Sequence, residues 1–270
     1  MANIVITGST KGIGFGLARA FLDAGHTVTI SGRSDLSVRT ALERLQAPAE
    51  RCAGIACDTS VMRQVQLLWD FAEETFGPVD IWINNAGLAR TGWSICDTPQ
   101  EEIESMLATN IQGTINGCRV AATGMRAPRK GQTQGGKIFN MLGGGSDGEH
   151  FPGMGIYGST KRALDYFTDA LQKELQDSGI VVGKIRPGMV VTEAVVREAR
   201  ENPARFARSR KFMNKLVDQV DTVAPFLARR ILECQRSGTK IRWLTGSRIG
   251  MRMFAGLFRA REDQFARHGL

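Results

Sequence analysis

Asn3-Ile4-Val5-Ile6-Thr7-Gly8-Ser9-Thr10-Lys11-Gly12-Ile13-Gly14 opens the chain after two residues. Its apolar, β-branched start predicts a strand over 3–7, the glycines predict a tight turn, and apolar spacing from 12 to 24 predicts a helix. Strand, glycine-rich turn and helix in that order make a phosphate cradle. Glycine lets the backbone approach a pyrophosphate, and the N–H groups and positive dipole end of the following helix attract it. Gly8, Ser9, Thr10, Lys11, Gly12, Ile13 and Gly14 are therefore candidate dinucleotide contacts.

Outward from that unit the pattern repeats. Short apolar runs predict strands over 26–31, 52–57, 79–84, 136–141, 180–186 and 240–244, separated by helical spacing near 36–46, 61–76, 100–127, 156–177 and 221–236. Alternation of this kind predicts an α/β fold of the doubly wound Rossmann type, with about seven parallel strands in a single domain over 1–270. Ligands of such sheets sit beyond the carboxyl ends of the strands, so the residues just after each strand are where chemistry is expected. Two stretches break the alternation: a glycine-rich loop over 142–155, and a long helical excursion over 188–220 whose position suits a substrate lid.

Composition narrows the class. Hydrophobic residues are 42% and charged residues 23%, which suits a globular chain and not a disordered one. Cys52, Cys57, Cys96, Cys118 and Cys234 lie in no metal-ligand spacing, so they are expected to be free thiols in a reducing compartment, with no metal. No apolar run approaches the roughly 20 residues that span a bilayer. With no signal-like start, a cytoplasmic location is expected. The net charge of +8 is concentrated at one end: residues 1–196 carry 18 Lys+Arg against 20 Asp+Glu, residues 197–270 carry 17 against 7. No nucleic-acid recognition module accompanies the basic end, and nucleic-acid binding is not expected.

At the end of the second strand, where an acid commonly meets the adenosine ribose, the chain has Ser31-Gly32-Arg33. Arginine can hold a 2′-phosphate that an acid would repel, and Lys11 adds a second charge. Both predict NADP(H). Tyr157 and Lys161 stand four residues apart, on one face if helical. Hydride reduction of a carbonyl leaves charge on oxygen that a positioned donor must meet, and a nearby ammonium would lower the tyrosine's pKa from its usual ~10. Asn110 sits in the apolar run Met106-Leu107-Ala108-Thr109-Asn110-Ile111, where a buried amide needs a reason.

Thr7-Gly8-x-x-x-Gly12-x-Gly14, Asp58, Asn84-Asn85-Ala86-Gly87, Asn110, Tyr157-x-x-x-Lys161 and Pro187-Gly188, in that order, identify the chain as resembling the short-chain dehydrogenases/reductases. The resemblance covers essentially its whole length. It implies that Asp58 contacts the adenine, that Asn85, Ala86 and Gly87 lie along the cofactor, and that Pro187, Gly188, Val190 and Thr192 hold its nicotinamide end. It further implies that Asn110 holds a water leading from Lys161 to solvent. Ile138-Phe139-Asn140-Met141, the Ser146 loop and Ile241-Arg242-Trp243-Leu244-Thr245-Gly246 look like the chlorophyll b reductase branch. The family's substrate-orienting serine aligns with Gly143, which has no hydroxyl; Ser146 is the candidate replacement, against a backbone N–H or no contact.

The tail over 246–270 is expected to carry a basic helix, with Arg248, Arg252 and Arg259 on one stripe and Ile249, Met253, Phe254, Leu257 and Phe258 on the opposite arc. It could cover the core, join subunits of a homodimer or homotetramer, or rest peripherally on an anionic membrane. The apolar lid residues Phe206, Phe212, Met213 and Leu216 suit a lipophilic substrate. The combined reading is an NADP(H)-dependent oxidoreductase interconverting a carbonyl and an alcohol. Its alternative is a regulatory or scaffold protein that binds the cofactor and turns over little.

Overall fold

Seven parallel strands lie in the order β3-β2-β1-β4-β5-β6-β9. They are β1 (Asn3–Ile6), β2 (Thr27–Gly32), β3 (Cys52–Ala56), β4 (Ile81–Asn84), β5 (Gly136–Met141), β6 (Ile180–Arg186) and β9 (Lys240–Arg242). The structure is a computed structural model and describes residues 1–127, 135–258 and 261–270. Strand order reverses between β1 and β4, and a crevice opens at their carboxyl ends.

Both faces of the sheet are covered, so the central strands are buried throughout and read as unbroken apolar runs. Successive side chains feed opposite layers. Ile4 and Ile6 pack with Leu17 and Phe21 of α1 (Gly12–Asp23) and Leu227 and Ile231 of α9 (Val220–Glu233). Val5 packs on the other face with Leu68 and Trp69 of α3 (Met62–Phe76), Met125 of α5 (Gly113–Arg126) and Trp82 of β4. The remaining helix on the β3 side, α2 (Asp35–Leu45), begins where the Ser34 side chain accepts the Ser37 N–H.

The long helix expected over 100–127 is interrupted. It comprises α4 (Gln100–Met106), a π-helical turn over Leu107–Gln112, and α5. The wide turn contains Asn110, and such turns concentrate at functional positions. Next comes α6 (Gly155–Glu174), which carries Tyr157 and Lys161.

The excursion holds β7 (Val190–Val191), α7 (Glu193–Glu201), α8 (Pro203–Leu216) and β8 (Asp218–Gln219), with β7 and β8 paired in parallel. Of the apolar residues expected to line a substrate site there, two belong instead to a small separate core. Phe206 stacks edge-on against Phe265 with ring centroids 5.0 Å apart, and Met213 joins the same small core; Leu216 is buried and Phe212 is exposed.

The tail helix α10 (Gly246–Phe258) turns its arginines inward. Arg248 lies 3.9 Å from the Trp243 ring centroid, and Arg252 reaches the buried carboxylate of Asp218 at 2.8 Å. Asp218 also accepts from Trp243 at 2.6 Å and from Arg261 at 2.5 Å. Met251, Met253 and Phe254 are exposed. The expected charged stripe thus becomes an anchor, because one buried carboxylate outcompetes water for the guanidinium groups. Arg259 lies outside the described residues, as do the side chains of Leu257 and Phe258.

Candidate active site

The glycine-rich turn is tied to both neighbouring strands. Ser9 donates its hydroxyl to the Ile6 carbonyl and its N–H to the Ser31 carbonyl, and its Oγ accepts the Ser31 N–H. Thr7 Oγ1 accepts the N–H groups of Asn85 and Ala86, both at 3.0 Å. The Asn85 amide answers by donating to the carbonyls of Thr7 and Gly8. These bonds lock the turn after β1 to the turn after β4. Gly8 has φ +61, and a Cβ there would stand 2.7 Å from Ala86 Cα. Only glycine fits both the angle and the approach.

Lys11 precedes α1 in an extended conformation and gives the helix no side-chain cap, so its first N–H groups remain available to an anion. Thr10 lies against Gly32, which brings Lys11 and Arg33, both exposed, to the same rim. Gly12 faces Thr192 and Glu193, at the start of α7. Gly188, with φ +75, packs under Leu244. Asp58 accepts from the Ser60 N–H at 2.9 Å and the Ser60 hydroxyl at 2.7 Å, which fixes its carboxylate at the end of β3.

Tyr157, Lys161 and Asn110 converge across the crevice. Lys161 is buried and donates Nζ to the Met141 carbonyl at 3.0 Å, 5.7 Å from the Tyr157 ring centroid. Asn110 is fully buried. Its Oδ1 accepts the Leu88 N–H at 2.7 Å, and its amide donates to the Leu88 carbonyl and to Thr160 Oγ1. The amide thereby clamps the turn after β4 to the first turns of α6.

Burial dominates the titration of the pair. Tyr157 is pushed up to about 12, first by burial and then by the Glu198 carboxylate, and burial brings Lys161 down to about 8. The lowering of Tyr157 by Lys161 expected from their spacing is absent in this geometry. Lys161 is spent on a backbone carbonyl, and desolvation opposes the charged form of both groups.

Gly143 stands where the strand alignment placed it, beside the Tyr157 hydroxyl, and a Cβ there would be 2.2 Å from that oxygen. Ser146 is fully buried. Its N–H donates to the Gly143 carbonyl and its own carbonyl accepts from Arg162, while its Oγ has no hydrogen-bond partner among the described residues.

Two groups of residues were not singled out by sequence. Glu198, on α7, accepts from Thr91 Oγ1 at 3.2 Å and reaches Tyr157 electrostatically; burial raises its own pKa. The second group holds the glycine-rich loop. Lys184 and Arg186 of β6 stand opposite Lys240 and Arg242 of β9, a pairing of like charges. Asp147 compensates it, meeting Arg186 at 2.6 Å, Lys240 at 2.5 Å and Arg242 at 3.0 Å, and Glu149 meets Arg186. Asp165 meets Lys184 and Lys240, each at 2.8 Å. The alternation of cations along 184–186 and 240–242 is a signal the sequence carries for one half of this grid; nothing local in the sequence marks the carboxylates that meet them.

All five cysteines are free, and the described residues contain no cluster fit to hold a metal ion. No helix among the described residues is long and apolar enough to cross a membrane.

A parallel sheet in this order, a glycine turn at its switch point and a Tyr-x-x-x-Lys helix beside it define a nicotinamide oxidoreductase fold. The family model for short chain dehydrogenases matches residues 2–203, and the chain belongs to that family. It falls in the chlorophyll(ide) b reductase branch. The chain is 36% identical to the chloroplastic chlorophyll(ide) b reductase NOL of Oryza sativa subsp. japonica, over 97% of this chain and 77% of that protein. It is 37% identical to the protein of the same name from Arabidopsis thaliana, over 94% of this chain and 73% of that one. Among solved structures, ElxO with NADP bound superposes with a TM-score of 0.77 at 25% identity, covering 89% of this chain and 96% of that one. The actinorhodin polyketide ketoreductase with NADPH superposes at 0.78 with 22% identity over 91% and 98%, which speaks to the fold.

Proposed function

We propose that the chain is an NADP(H)-dependent reductase of a carbonyl on a largely apolar molecule, with Tyr157 as the proton donor. The observation that carries this is the convergence of Tyr157, Lys161 and Asn110 on the crevice flanked by the glycine turn. Gly8, Ser9, Thr10, Gly12, Ile13 and Gly14 would hold the pyrophosphate. Lys11 and Arg33 would take the 2′-phosphate, Asp58 the adenine, and Asn85, Ala86, Gly87, Lys161, Pro187, Gly188, Val190 and Thr192 the remainder. The uncapped start of α1 and the side-chain-free approach at Gly8 suit an anion and a flat ligand there. Bound nicotinamide supplies or accepts the hydride.

Tyr157 delivers its proton to the oxygen as charge develops, and Lys161 holds the adjacent positive charge. The unpartnered Oγ of Ser146 is the second donor assigned to that oxygen. Support for an apolar substrate moves from the lid residues to Trp93, Ile95 and Phe151. All three remain exposed on the loops beside the start of α6. The relatives are named chlorophyll(ide) b reductases, and a large, largely apolar carbonyl compound is the substrate class this reading favours.

Thermal-shift titration tests the cofactor half of the reading. NADPH at a hundred times its Kd should stabilise the fold by ~2.7 kcal/mol, and Arg33→Ala should abolish its advantage over NADH. No shift with either cofactor would overturn the reading.

A further inference from the structure

Three elements meet where the lid crosses the mouth of the site, and they seat one guanidinium that makes no hydrogen bond or close ion pair among the described residues. Gly92, between β4 and α4, donates its N–H to the carbonyl of Gly153, before α6, at 2.8 Å. Both glycines have left-handed backbones, with φ +118 and +75. Their junction forms a floor without side chains, and the Arg205 guanidinium straddles it. A Cβ on Gly92 would stand 2.3 Å from one terminal nitrogen, and a Cβ on Gly153 2.9 Å from the other.

Arg205 lies in the first turn of α8, whose start is set by Asn202 accepting the Arg205 N–H and by Pro203. Its guanidinium has no hydrogen-bonded or ion-paired partner among the described residues, although it remains open to solvent. The carboxylate within its electrostatic reach, Glu198, is held by Thr91, the neighbour of Gly92. Thus the guanidinium is confined by two loop backbones, close to the group that biases Tyr157, with its N–H donors unused among the described residues. A confined planar fork loses little further freedom when it grips a carboxylate in two-point fashion.

We infer that Arg205 is a specificity residue that receives a carboxylate borne by the substrate, whose apolar body rests on Trp93, Ile95 and Phe151. The inference rests on the reductase reading above and adds to it an amphiphilic substrate with an acid group remote from the reacting carbonyl. Arg205 belongs to the lid and lies against both rim loops, so substrate binding and lid closure would be the same event.

The test compares para-carboxybenzaldehyde with its methyl ester, followed by NADPH consumption, in the wild-type protein, Arg205→Ala and Arg205→Lys. The wild-type protein should favour the acid by about tenfold in kcat/KM, expressed in KM. Arg205→Ala should erase that preference by lowering kcat/KM for the acid about tenfold more than for the ester, and Arg205→Lys should keep part of it. Equal loss on both substrates would show a mere lid latch and overturn the inference, as would a wild-type preference for the ester. Should neither aldehyde turn over, the reaction proposed above fails for such substrates, and calorimetric titration of benzoate with NADP⁺ present decides the inference separately. Binding that disappears in Arg205→Ala supports it; no binding, or binding unchanged in the variant, overturns it.

Discussion

A Cβ on Gly143 would stand 2.2 Å from the hydroxyl oxygen of Tyr157. The position that in the family pattern bears a hydroxyl is here the space that the tyrosine occupies. Restoring the family residue should therefore harm this protein. Gly143→Ser is expected to fold, because the severe clash falls on the far end of the Tyr157 side chain while Lys161 Cγ stands 3.3 Å off, and to lose about 100-fold in kcat/KM through displacement of the donor. Steady-state kinetics beside circular dichroism check this; unchanged or improved turnover would show that Tyr157 has room to move.

Lys161 supplies a prediction with a definite sign. Its folded-state pKa of about 8 lies below its ordinary 10.5, so between those values the unfolded chain binds more protons than the folded one. Stability contributed by this group rises as pH increases through that window, and below it the buried ammonium costs roughly 3 kcal/mol. Lys161→Met has no such titration. The Tm of the wild-type protein should gain on that of the variant between about pH 7 and about pH 10, whichever is higher at the start, while the variant loses nearly all turnover. A Tm difference independent of pH would refute the buried ammonium.

Much of this was legible before any coordinates. The strands fall on the short apolar runs and the helices on the three- and four-residue apolar spacing, because burial on both faces of a parallel sheet leaves a strong one-dimensional trace. Tyr157, Lys161 and Asn110 were legible for a different reason: polar groups at fixed spacing in apolar runs need partners. What the sequence hid depends on contacts between distant segments. The inward turn of Arg252 requires Asp218, 34 residues upstream, and a helical wheel cannot show which face a buried carboxylate will claim. Likewise Glu198 and Arg205 gain their meaning from Thr91, Gly92 and Gly153, more than 40 residues away in the chain.

Asp218 anchors the tail, and its replacement should release it. Burial alone would raise this carboxyl, but Arg252, Trp243 and Arg261 outweigh burial and hold it below the usual carboxylate range. Asp218→Asn leaves two guanidinium groups facing a neutral amide in a buried place, at a cost of about 3 kcal/mol. Hydrogen exchange should show residues 246–270 opening first, with the denaturation midpoint falling accordingly. Protection unchanged across those residues would mean that Phe265 packing, not the ion cluster, holds the tail.

The cation grid on β6 and β9 predicts how the protein responds to acid. For Asp147, burial pushes the pKa up, yet the hydrogen bond from Lys240 and the charges of Arg186, Lys240 and Arg242 bring it below the ordinary value. Asp165 is lowered in the same way by Lys184 and Lys240. Both folded-state values lie under their unfolded counterparts, so the stabilisation is complete above the ordinary carboxylate pKa, about 4, and is lost as pH falls through the depressed folded values. Wild-type Tm should therefore drop steeply below about pH 4. Asp147→Asn should lower Tm at neutral pH, because four cations then share fewer counter-charges, and should flatten the acid limb of the profile. It should also lower kcat more than it weakens NADPH binding, since Asp147 pins the loop that carries Gly143 and Ser146 without touching the phosphate cradle. Parallel losses in turnover and cofactor affinity would mean instead that the grid supports the sheet as a whole.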